Sequence, residues 1–596
     1  MYNEAKFNKG AITTMDIGAV YTQWATNRYF DEDSRKELEA IEGNNIEIRD
    51  RFYKELDFGT AGIRGVIGAG TNRMNKYVVR RLSTAIAAHI LAKGPKAKKD
   101  GVVIGYDSRN CSELFAKEAA AVFAGNGIKV HLFTDIVPVP ALSFSVRQLR
   151  CAAGVMITAS HNPKEYNGYK VYGPDGAQLS LDDSKQISKL MQSITDYTKV
   201  PSFSFDFFKT GNNIKYIDNS MKQNFFKEVK KLIVDKDGFK KNAKNLTVVY
   251  TPLHGAGAKW IPELLKECGV SNLHTVKEQM QPDGNFSTVN VPNPEDPGAF
   301  TLALKLAKEV NADLILASDP DADRTGVYAK TPDGDYAMIN GNQIGVMLTD
   351  RIIESHKQRK TMPVNPFVVS TVVSTRLTKE ICKANNVEYV DVLTGFKFIG
   401  EKIMDLDEKG DKNYLFGFEE SYGYLPGTYA RDKDAVAGCL FMAEAAAYYV
   451  SQGITLFEAL DNIYKKYSYH NELQVSINLK GEAGLKMIQK IMDVIRNTNG
   501  KFTDETPAVY TDIKTGESLT FNTDGSIASK QQCNLPSSNV LYFEFADKWY
   551  CIRPSGTEPK IKIYFGGKAD TLDAAHDKAL KLKQEVVDKI MPIIKE

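Results

Sequence analysis

Short apolar runs alternate with longer amphipathic stretches along most of the chain, which is the pattern that βαβ units produce. The run GVVIGYDSR at residues 101–109 predicts a buried strand, SELFAKEAAAVFAGNG at 112–127 predicts a helix, and IKVHLFTD at 128–135 predicts a second strand. Similar units begin at Asn245 and at Pro366. Because strands joined by a helical crossover lie parallel, we expect three similar α/β domains with mixed, mostly parallel sheets.

The pattern changes after Tyr469. The segments VLYFEFADKWYCIRPSG and KIKIYFGG alternate or run apolar in the manner of antiparallel strands, and TLDAAHDKALKLKQEVVDKIM has the apolar spacing of a helix. This predicts a smaller C-terminal α+β domain. Polar and turn-rich breaks divide the chain into four expected domains, at residues 1–205, 206–335, 336–468 and 469–596.

Composition argues against several classes of protein. The 596 residues include 76 basic and 74 acidic side chains, so no overall charge attracts nucleic acid or an anionic membrane. No stretch reaches 18 consecutive apolar residues and the N-terminus lacks an apolar signal region, so we expect neither membrane insertion nor export. The seven cysteines are scattered without a C-x-x-C pair, which favours a reducing cytoplasm.

A serine follows one predicted strand, in the segment GVMITASHNPKEYNGYK at residues 154–170. Ser160 lacks the flanking glycines of an α/β-hydrolase nucleophile, and Ala159 and His161 would crowd such an elbow. Taken alone, a serine before His-Asn-Pro is more typical of a helix cap or a turn. The loop by itself therefore assigns no chemistry.

Three carboxylates follow another apolar strand, in the segment SDPDADR. Asp319, Asp321 and Asp323 can converge on one hard cation, and oxygen ligands select Mg²⁺ or Ca²⁺. An EF-hand loop does not fit, because its sixth position would be Arg324 instead of glycine and its twelfth Lys330 instead of glutamate. A solvated acidic turn is the alternative. The arginine beside the carboxylates suits a phosphoryl group.

A third strand end offers groups that suit a sugar. FGFEESYGY, at residues 416–424, contains Glu419 and Ser421, an acceptor and a hydroxyl that match sugar hydroxyls, which both donate and accept hydrogen bonds. A solvated turn is often built from the same residue types. Upstream, Lys397 could face the same cleft or be a surface cation.

The segment RPSGTEPK, at residues 553–560, concentrates donors with few acceptors, as a phosphate monoester requires. A tight turn between strands would explain its glycine and proline but not its donors, which are Arg553, Ser555, Thr557, Lys560 and the N–H groups around Gly556. A serine hydroxyl, a carboxylate-bound cation, a hydroxyl-binding loop and a phosphate cradle together predict phosphoryl transfer on a phosphorylated sugar.

Five motifs, LDFGTAGIRG, TASHNP, DPDADR, FGFEESYGY and RPSGTEPK, follow one another over nearly the whole chain. In this order they resemble the α-D-phosphohexomutase superfamily, and within it the bacterial α-phosphoglucomutases and phosphopentomutase-type enzymes. The resemblance implies four domains around a central cleft, each of which contributes a motif. It also implies sugar phosphates as ligands, Mg²⁺ as cofactor, and a monomer or homodimer.

The resemblance gives each motif residue a role. It implies that Ser160 bears the transferable phosphoryl group and adds an oxygen to a Mg²⁺ held by the three aspartates. The residues that match contacts to the sugar and its non-reacting phosphate are Glu419, Ser421, Arg553, Ser555 and Thr557. The residues that match positive groups around the reacting phosphate are Arg64, Lys170, Arg324 and Lys397. Lys170 and Lys397 are also candidates for proton transfer.

The implied reaction interconverts glucose 1-phosphate and glucose 6-phosphate through a phosphoserine enzyme and glucose 1,6-bisphosphate. Phe418 stands where many glucose mutases have glycine, so phosphopentomutase or phosphomannomutase activity is an alternative. Pro320 occupies another position where glycine is common. A Mg²⁺-dependent sugar phosphatase or a non-catalytic phosphosugar-binding protein would have similar loops.

Overall fold

The computed structural model describes residues 16–59, 62–479, 481–555 and 560–595. None of the helices in these ranges combines the length and the apolar composition that a membrane span requires. The chain divides into two compact units. The first consists of Met1–Val137, Ser145–Asp218 and Asp283–Ser287, and the second of Pro138–Phe144, Asn219–Pro282 and Thr288–Glu596.

The first unit is an α/β fold around a mixed sheet. Its strands are β1 (Gly62–Val66), β2 (Val102–Tyr106), β3 (Val130–Phe133), β4 (Ala153–Ile157), β5 (Tyr166–Tyr172) and β6 (Ile214–Ile217). They lie in the order β1-β5-β4-β2-β3-β6, in which β4, β2, β3 and β6 are parallel and β1 and β5 are antiparallel to their neighbours. The helices are α1 (Ile17–Thr26), α2 (Glu32–Glu39), α3 (Asn45–Phe52), α4 (Lys76–Ala92), α5 (Pro95–Asp100), α6 (Ser112–Gly125), α8 (Leu181–Ser193) and α9 (Phe205–Thr210), together with α7 (Val139–Gln148), whose residues are divided between the units.

The apolar runs of the sequence become the central strands of this sheet. Every residue of β2 and of β4 is buried, since helices cover both faces of a parallel sheet. The βαβ unit predicted from residue 101 onward is confirmed as β2, α6 and β3. The Ser160 segment therefore leaves the carboxyl end of β4 and returns through the antiparallel β5.

The second unit contains three sheets. The strands of its first sheet are β7 (Thr247–Thr251), β8 (Asn272–Thr275), β9 (Leu314–Ser318), β10 (Thr325–Lys330) and β11 (Tyr336–Ile339), in the order β11-β10-β9-β7-β8. Those of its second are β12 (Pro366–Thr371), β13 (Glu388–Val392), β14 (Asn413–Glu419) and β15 (Gly423–Leu425), in the order β13-β12-β14-β15. Both sheets are mixed, because parallel pairs adjoin an antiparallel hairpin.

The same part of the second unit also contains helices. They are α10 (Asn219–Lys231), α11 (Lys236–Asn242), α12 (Ile261–Glu267), α13 (Thr301–Val310), α14 (Gly341–Arg359), α15 (Leu377–Ala384), α16 (Phe396–Lys409), α17 (Ala435–Val450) and α18 (Leu456–Tyr467). Short 3₁₀ turns across the two units cover Tyr197–Lys199, Ala243–Asn245, Ala256–Lys259, Lys277–Gln279 and Pro297–Phe300. The capping box of Asn340 and Gln343 fixes the start of α14 by pairing the side chain of each residue with the backbone N–H of the other.

The third sheet is antiparallel throughout, which confirms the predicted C-terminal α+β domain. Its strands are β16 (Tyr469–Asn478), β17 (Val509–Asp512), β18 (Glu517–Phe521), β19 (Ile527–Gln532), β20 (Leu541–Glu544), β21 (Lys548–Pro554) and β22 (Lys560–Ala569), in the order β16-β22-β21-β20-β17-β18-β19. The apolar faces of α19 (Gly481–Asn497) and α20 (Leu572–Lys595) complete its core.

A buried ion pair joins two helices of the second unit. Arg351 of α14 donates from Nη2 to Glu444 Oε1 of α17 at 2.6 Å and from Nε to Oε2 at 3.2 Å. Burial raises the pKa of Glu444, although Arg351 opposes the shift. The guanidinium also lies 3.6 Å from the ring centroid of Tyr448. Removal of one partner would leave a buried charge without its counter-ion.

We expect Glu444→Ala to destabilise the second unit by about 3–5 kcal/mol, the usual cost of breaking a buried pair. Glu32→Ala, which breaks the exposed Lys36–Glu32 pair, is the control and should cost less than about 1 kcal/mol. Calorimetric unfolding of both variants tests this. Equal unfolding temperatures for the two variants would show that the buried pair adds no stability.

Candidate active site

Ser160 lies in a tight turn between β4 and β5, and no helix starts there. Its φ is 52°, a left-handed conformation that costs a residue other than glycine about 1–2 kcal/mol. The backbone N–H of Ser160 donates to Thr158 Oγ1 at 2.8 Å, and Ser160 Oγ lies 3.2 Å from His161 Nδ1. The turn interpretation of this loop is thus correct and the helix-cap interpretation is wrong. The residue is strained and 3% exposed, which a surface turn does not require.

Arg64 reaches the same loop from β1. Its Nη1 donates to Asn162 Oδ1 at 2.6 Å. In the antiparallel register, Arg64 is opposite Gly168 and Gly62 is opposite Lys170, so the side chains of Arg64 and Lys170 are on the same face of the sheet. The first unit therefore brings two predicted cations to one face of the β1–β5 pair, and one of them bonds to the Ser160 loop.

The three aspartates predicted as metal ligands come together in the second unit. Asp319, Asp321 and Asp323 are buried directly after β9, and their candidate ligand oxygens all lie within 4.8 Å of one another. Asp319 Oδ1 accepts the backbone N–H groups of Asp323 and Arg324, each at 3.0 Å. Ala322 has a φ of 51°, which lets the loop reverse within these few residues.

The charges of this loop favour a bound cation. Burial raises the pKa of Asp319 well above its usual value, and the charges of Asp321 and Asp323 raise it further. An all-oxygen set of three clustered carboxylates is the donor set that hard divalent cations prefer. The residues present therefore fit a divalent cation, and the solvated-turn alternative fails because none of the three is exposed.

Lys433 is a site residue that the sequence analysis missed. Its Nζ lies 3.3 Å from Asp323 Oδ2, 3.3 Å from Asp432 Oδ1 and 3.9 Å from Glu419 Oε1. Burial alone would lower the pKa of Lys433, but these three acids raise it above its ordinary value, so the amine is charged. Lys433 thus links the predicted metal loop to the predicted sugar loop. The available signal was the charged run RDKD before the apolar helix α17.

Glycine makes room for this lysine. A Cβ at Gly423 would lie 2.1 Å from Cδ of Lys433 and 3.2 Å from Cγ of Glu419. The aliphatic stem of the lysine therefore crosses the backbone at a position where no other residue fits without movement.

Arg324 faces a second missed residue, Glu295. The two side chains form an ion pair, and Arg324 Nε lies 3.9 Å from Asp323 Oδ1. Burial would lower the pKa of Arg324, but Glu295 and the neighbouring aspartates raise it. A guanidinium beside the carboxylate cluster can bind a phosphoryl oxygen.

Glu419 ends β14, and Glu420 and Ser421 follow it in the turn to β15. Glu419 is 5% exposed. Thr371 Oγ1 donates to Glu420 Oε2 at 3.1 Å, and Ser374 Oγ lies 3.4 Å from the same oxygen. Burial, then repulsion by Glu419, raises the pKa of Glu420 to about 7. The loop thus holds two closely spaced acids, one of which is close to half protonated at neutral pH.

The two departures from the family pattern have a packing explanation. Phe418 precedes Glu419 on β14 and points to the opposite face, where a Cβ at Gly345 of α14 would meet its ring at 2.3 Å. Pro320 lies against Gly255, whose Cβ would be 2.4 Å from the proline Cα. Each of the two residues therefore packs against a glycine that leaves room for it.

Lys397 is the second residue of α16 and is 6% exposed. Burial lowers its pKa, against the opposing charge of Glu401. Among the described residues, its Nζ has no hydrogen-bond partner. This interpretation of Lys397 as a buried amine replaces the alternative of a surface cation.

The structure describes the first three and the last residue of the predicted phosphate cradle at residues 553–560. Arg553 is opposite Lys562 in the β21–β22 pair, and the backbone N–H of Ser555 donates to the carbonyl of Lys560 at 2.8 Å. Burial and the charges of Lys560 and Arg553 lower the pKa of Lys562, a further cation that the sequence analysis missed. Gly556 and Thr557 lie outside the described residues.

Comparison with known proteins covers both units. Four family profiles match in sequence: phosphoglucomutase/phosphomannomutase α/β/α domain I at residues 55–198, domain II at 223–334, domain III at 340–467 and the C-terminal domain at 478–582. A phosphoglucomutase from Staphylococcus aureus (strain bovine RF122 / ET3-1) is 39% identical over 534 residues, which is 89% of this chain and 93% of that protein. The chain belongs to the α-D-phosphohexomutase superfamily.

A further relative agrees with this assignment in sequence, and two solved structures share the fold. A phosphoglucomutase from Staphylococcus saprophyticus is 36% identical over 531 residues, with coverage of 88% of this chain and 92% of that protein. The crystal structure of pp63/parafusin from Paramecium, in an open form, has a TM-score of 0.66 at 18% identity, covering 90% and 96% of the two chains. A phosphoglucomutase/phosphomannomutase family protein from Burkholderia thailandensis has a TM-score of 0.62 at 19% identity, covering 90% and 97%. The phosphohexomutase described here is accordingly an intramolecular phosphotransferase with the four-domain architecture of the family.

We expect Asp321→Asn to weaken Mg²⁺ binding by about tenfold or more, since even residues that only orient metal ligands contribute ~10–100-fold. Asp313→Asn, at the opposite end of the same strand, is the matched control and should bind as the unmodified mutase does. Calorimetric titration with Mg²⁺ measures both. An unchanged affinity in Asp321→Asn would remove this carboxylate from the cation site.

Proposed function

We propose that the protein interconverts glucose 1-phosphate and glucose 6-phosphate. The observation that carries this proposal is the position of Lys433, which joins Asp323 to Glu419 and so puts the proposed cation and sugar sites in one charge network. The 39% identity to a protein named phosphoglucomutase supports glucose as the sugar. Mannose and pentose phosphates are the alternative substrates to be compared with it.

Ser160 is proposed to carry the phosphoryl group between turnovers. In the first half-reaction its Oγ–P bond breaks, a new O–P bond forms at the free hydroxyl of the substrate, and the hydroxyl proton passes through Lys170 or Lys397 to Ser160 Oγ, which leaves as the serine hydroxyl. Glucose 1,6-bisphosphate results and turns end for end. Ser160 Oγ then accepts the other phosphoryl group, and its hydroxyl proton passes back to the sugar oxygen that loses that group. The lowered pKa of Lys397 suits an amine that accepts and returns a proton.

The remaining proposed roles follow from charge and hydrogen bonding. Asp319, Asp321 and Asp323 would hold Mg²⁺, which when bound neutralises charge on the transferring group. Arg64 and Arg324 offset the same charge, with positioning and electrostatics providing most of the catalysis. The residues proposed to bind the sugar hydroxyls and the non-reacting phosphate are Glu419, Ser421, Arg553, Ser555, Gly556, Thr557 and Lys560.

Residues 469–596 are proposed as a lid domain that excludes water, as the phosphoryl group would otherwise be lost to hydrolysis. The divisions at residues 205, 335 and 468 are proposed domain boundaries. Hydrogen exchange in β21 and β22 that does not change when glucose 6-phosphate binds would contradict the lid.

A cytoplasmic location is also proposed. All seven cysteines are unpaired, as a reducing compartment requires. Recovery of the protein in a non-cytoplasmic fraction of the cell would contradict this.

With Mg²⁺, glucose 1-phosphate and a trace of glucose 1,6-bisphosphate, we expect glucose 6-phosphate as the product. Assays of glucose 6-phosphate and of free phosphate in the same sample distinguish the outcomes. Free phosphate would indicate a phosphatase, and no turnover would indicate a binding protein. If kcat/KM is higher for mannose 1-phosphate or ribose 1-phosphate than for glucose 1-phosphate, that sugar phosphate is the preferred substrate instead.

Ser160→Ala should lose turnover by roughly 10³-fold or more, since the phosphoryl carrier is removed, while glucose 6-phosphate still binds. Ser184→Ala, at a buried serine of α8, is the matched control and should keep full activity. Turnover and calorimetric binding are measured for both. Substantial activity in Ser160→Ala would exclude the serine from the mechanism.

A further inference from the structure

Arg109 is a buried arginine beneath the Ser160 loop that takes no part in the proposed mechanism. It lies just beyond β2 and is 3% exposed. Its Nη1 donates to the carbonyls of Pro163 at 2.9 Å and Tyr166 at 3.0 Å. Its Nη2 donates to the carbonyl of Ser160 at 2.5 Å and to that of Asn162. The terminal nitrogens of one side chain thus bond to four carbonyls of a single loop.

This hydrogen-bond pattern is specific to arginine. The two terminal nitrogens carry four N–H groups in a fixed plane, and each has a carbonyl partner. Lysine has three donors on one nitrogen and cannot reproduce the planar arrangement. Asp107 also contacts this arginine. Its Oδ2 lies 3.5 Å from Arg109 Nε, and its Oδ1 accepts the backbone N–H of Arg109 at 2.9 Å.

The arginine bonds to the residue that carries the strain. Ser160 has a left-handed φ of 52°, and such a conformation persists only where its surroundings enforce it. The carbonyl of Ser160 and that of Asn162 are held by the same nitrogen, so the direction of the chain through the serine is fixed. That backbone sets the direction of the Cα–Cβ bond from which Ser160 Oγ extends.

A short segment, Asp283–Ser287, closes the other side of the guanidinium. These residues belong to the first unit, although the residues on both sides of them in sequence belong to the second. The Phe286 ring is 1% exposed, and its centroid lies 5.0 Å from the Arg109 guanidinium carbon. Asn110 Nδ2 donates to Asn285 Oδ1 at 3.0 Å. A Cβ at Gly284 would lie 2.4 Å from Asn110, so the segment approaches as closely as glycine permits.

We infer that Arg109 is a positioning residue for Ser160, and that Phe286 completes it by excluding water from the guanidinium. The inference rests on the proposed role of Ser160 as phosphoryl carrier. Water would compete for the four N–H groups if the ring were absent, and the carbonyls would be held less firmly. A misplaced nucleophile lowers the rate of phosphoryl transfer without altering how the sugar phosphate binds.

The test compares Arg109→Lys and Phe286→Leu with Arg81→Lys. Arg81 is a matched control, because it is a buried arginine of the same unit whose guanidinium donates to the carbonyls of Ile194 and Met191 instead of to those of the Ser160 loop. Each protein is treated with glucose 1,6-bisphosphate, and the fraction phosphorylated on Ser160 is measured by mass spectrometry. The kcat and KM for glucose 1-phosphate are then expressed per phosphorylated enzyme.

We expect kcat to fall about 10–100-fold in Arg109→Lys and about 3–10-fold in Phe286→Leu, with KM within about threefold of the unmodified enzyme. Arg81→Lys should lower the unfolding temperature and leave kcat per phosphorylated enzyme unchanged. The inference is overturned if both loop variants keep the unmodified kcat, or if their losses vanish once corrected for the phosphorylated fraction. If Arg109→Lys does not fold, Phe286→Leu decides alone. Absence of phosphate on Ser160 in the unmodified enzyme would instead overturn the proposed function, and this inference with it.

Discussion

The burial of three like charges at the end of one strand is the constraint on which the second unit depends. Burial raises the pKa of Asp319, and repulsion by Asp321 and Asp323 raises it further. Lys433 supplies a permanent positive charge at one side, and Arg324 supplies another. A divalent cation is the further positive charge for which such an oxygen cluster is suited. The positive groups around the three aspartates thus offset their mutual repulsion.

Successive side chains of a strand point to opposite faces of the sheet, so core residues and site residues can be neighbours in sequence. Phe418 fills the space above Gly345 of α14, while Glu419, the next residue, faces Lys433. Likewise, Arg64 and Lys170 share one face of the β1–β5 pair, and buried Ile63 and Tyr169 point to the other. A substitution in a motif can therefore belong entirely to the core, which is why Phe418 says little about which sugar is bound.

The sequence predicts those parts of the site that lie in a single motif after an apolar strand. Ser160 and the three aspartates follow buried strands and Glu419 ends one, and the carboxyl ends of such strands are where ligand sites form. The partners of these residues could not be predicted in the same way. Lys433 and Glu295 act through contacts with residues distant in sequence, and their motifs resemble ordinary charged turns. The left-handed backbone conformation of Ser160 could not be predicted from the sequence either, because serine, unlike glycine, rarely adopts it.

The segment Asp283–Ser287 belongs to the first unit, although it is far along the chain from the rest of that unit. The unit that carries the serine is not a continuous stretch of chain, since the ring that covers Arg109 is encoded some 125 residues beyond Ser160, within the stretch that matches domain II. A gene fragment ending at Asp218 would lack Phe286 and expose the guanidinium. The serine-bearing unit is therefore complete only when the segment Asp283–Ser287 accompanies it.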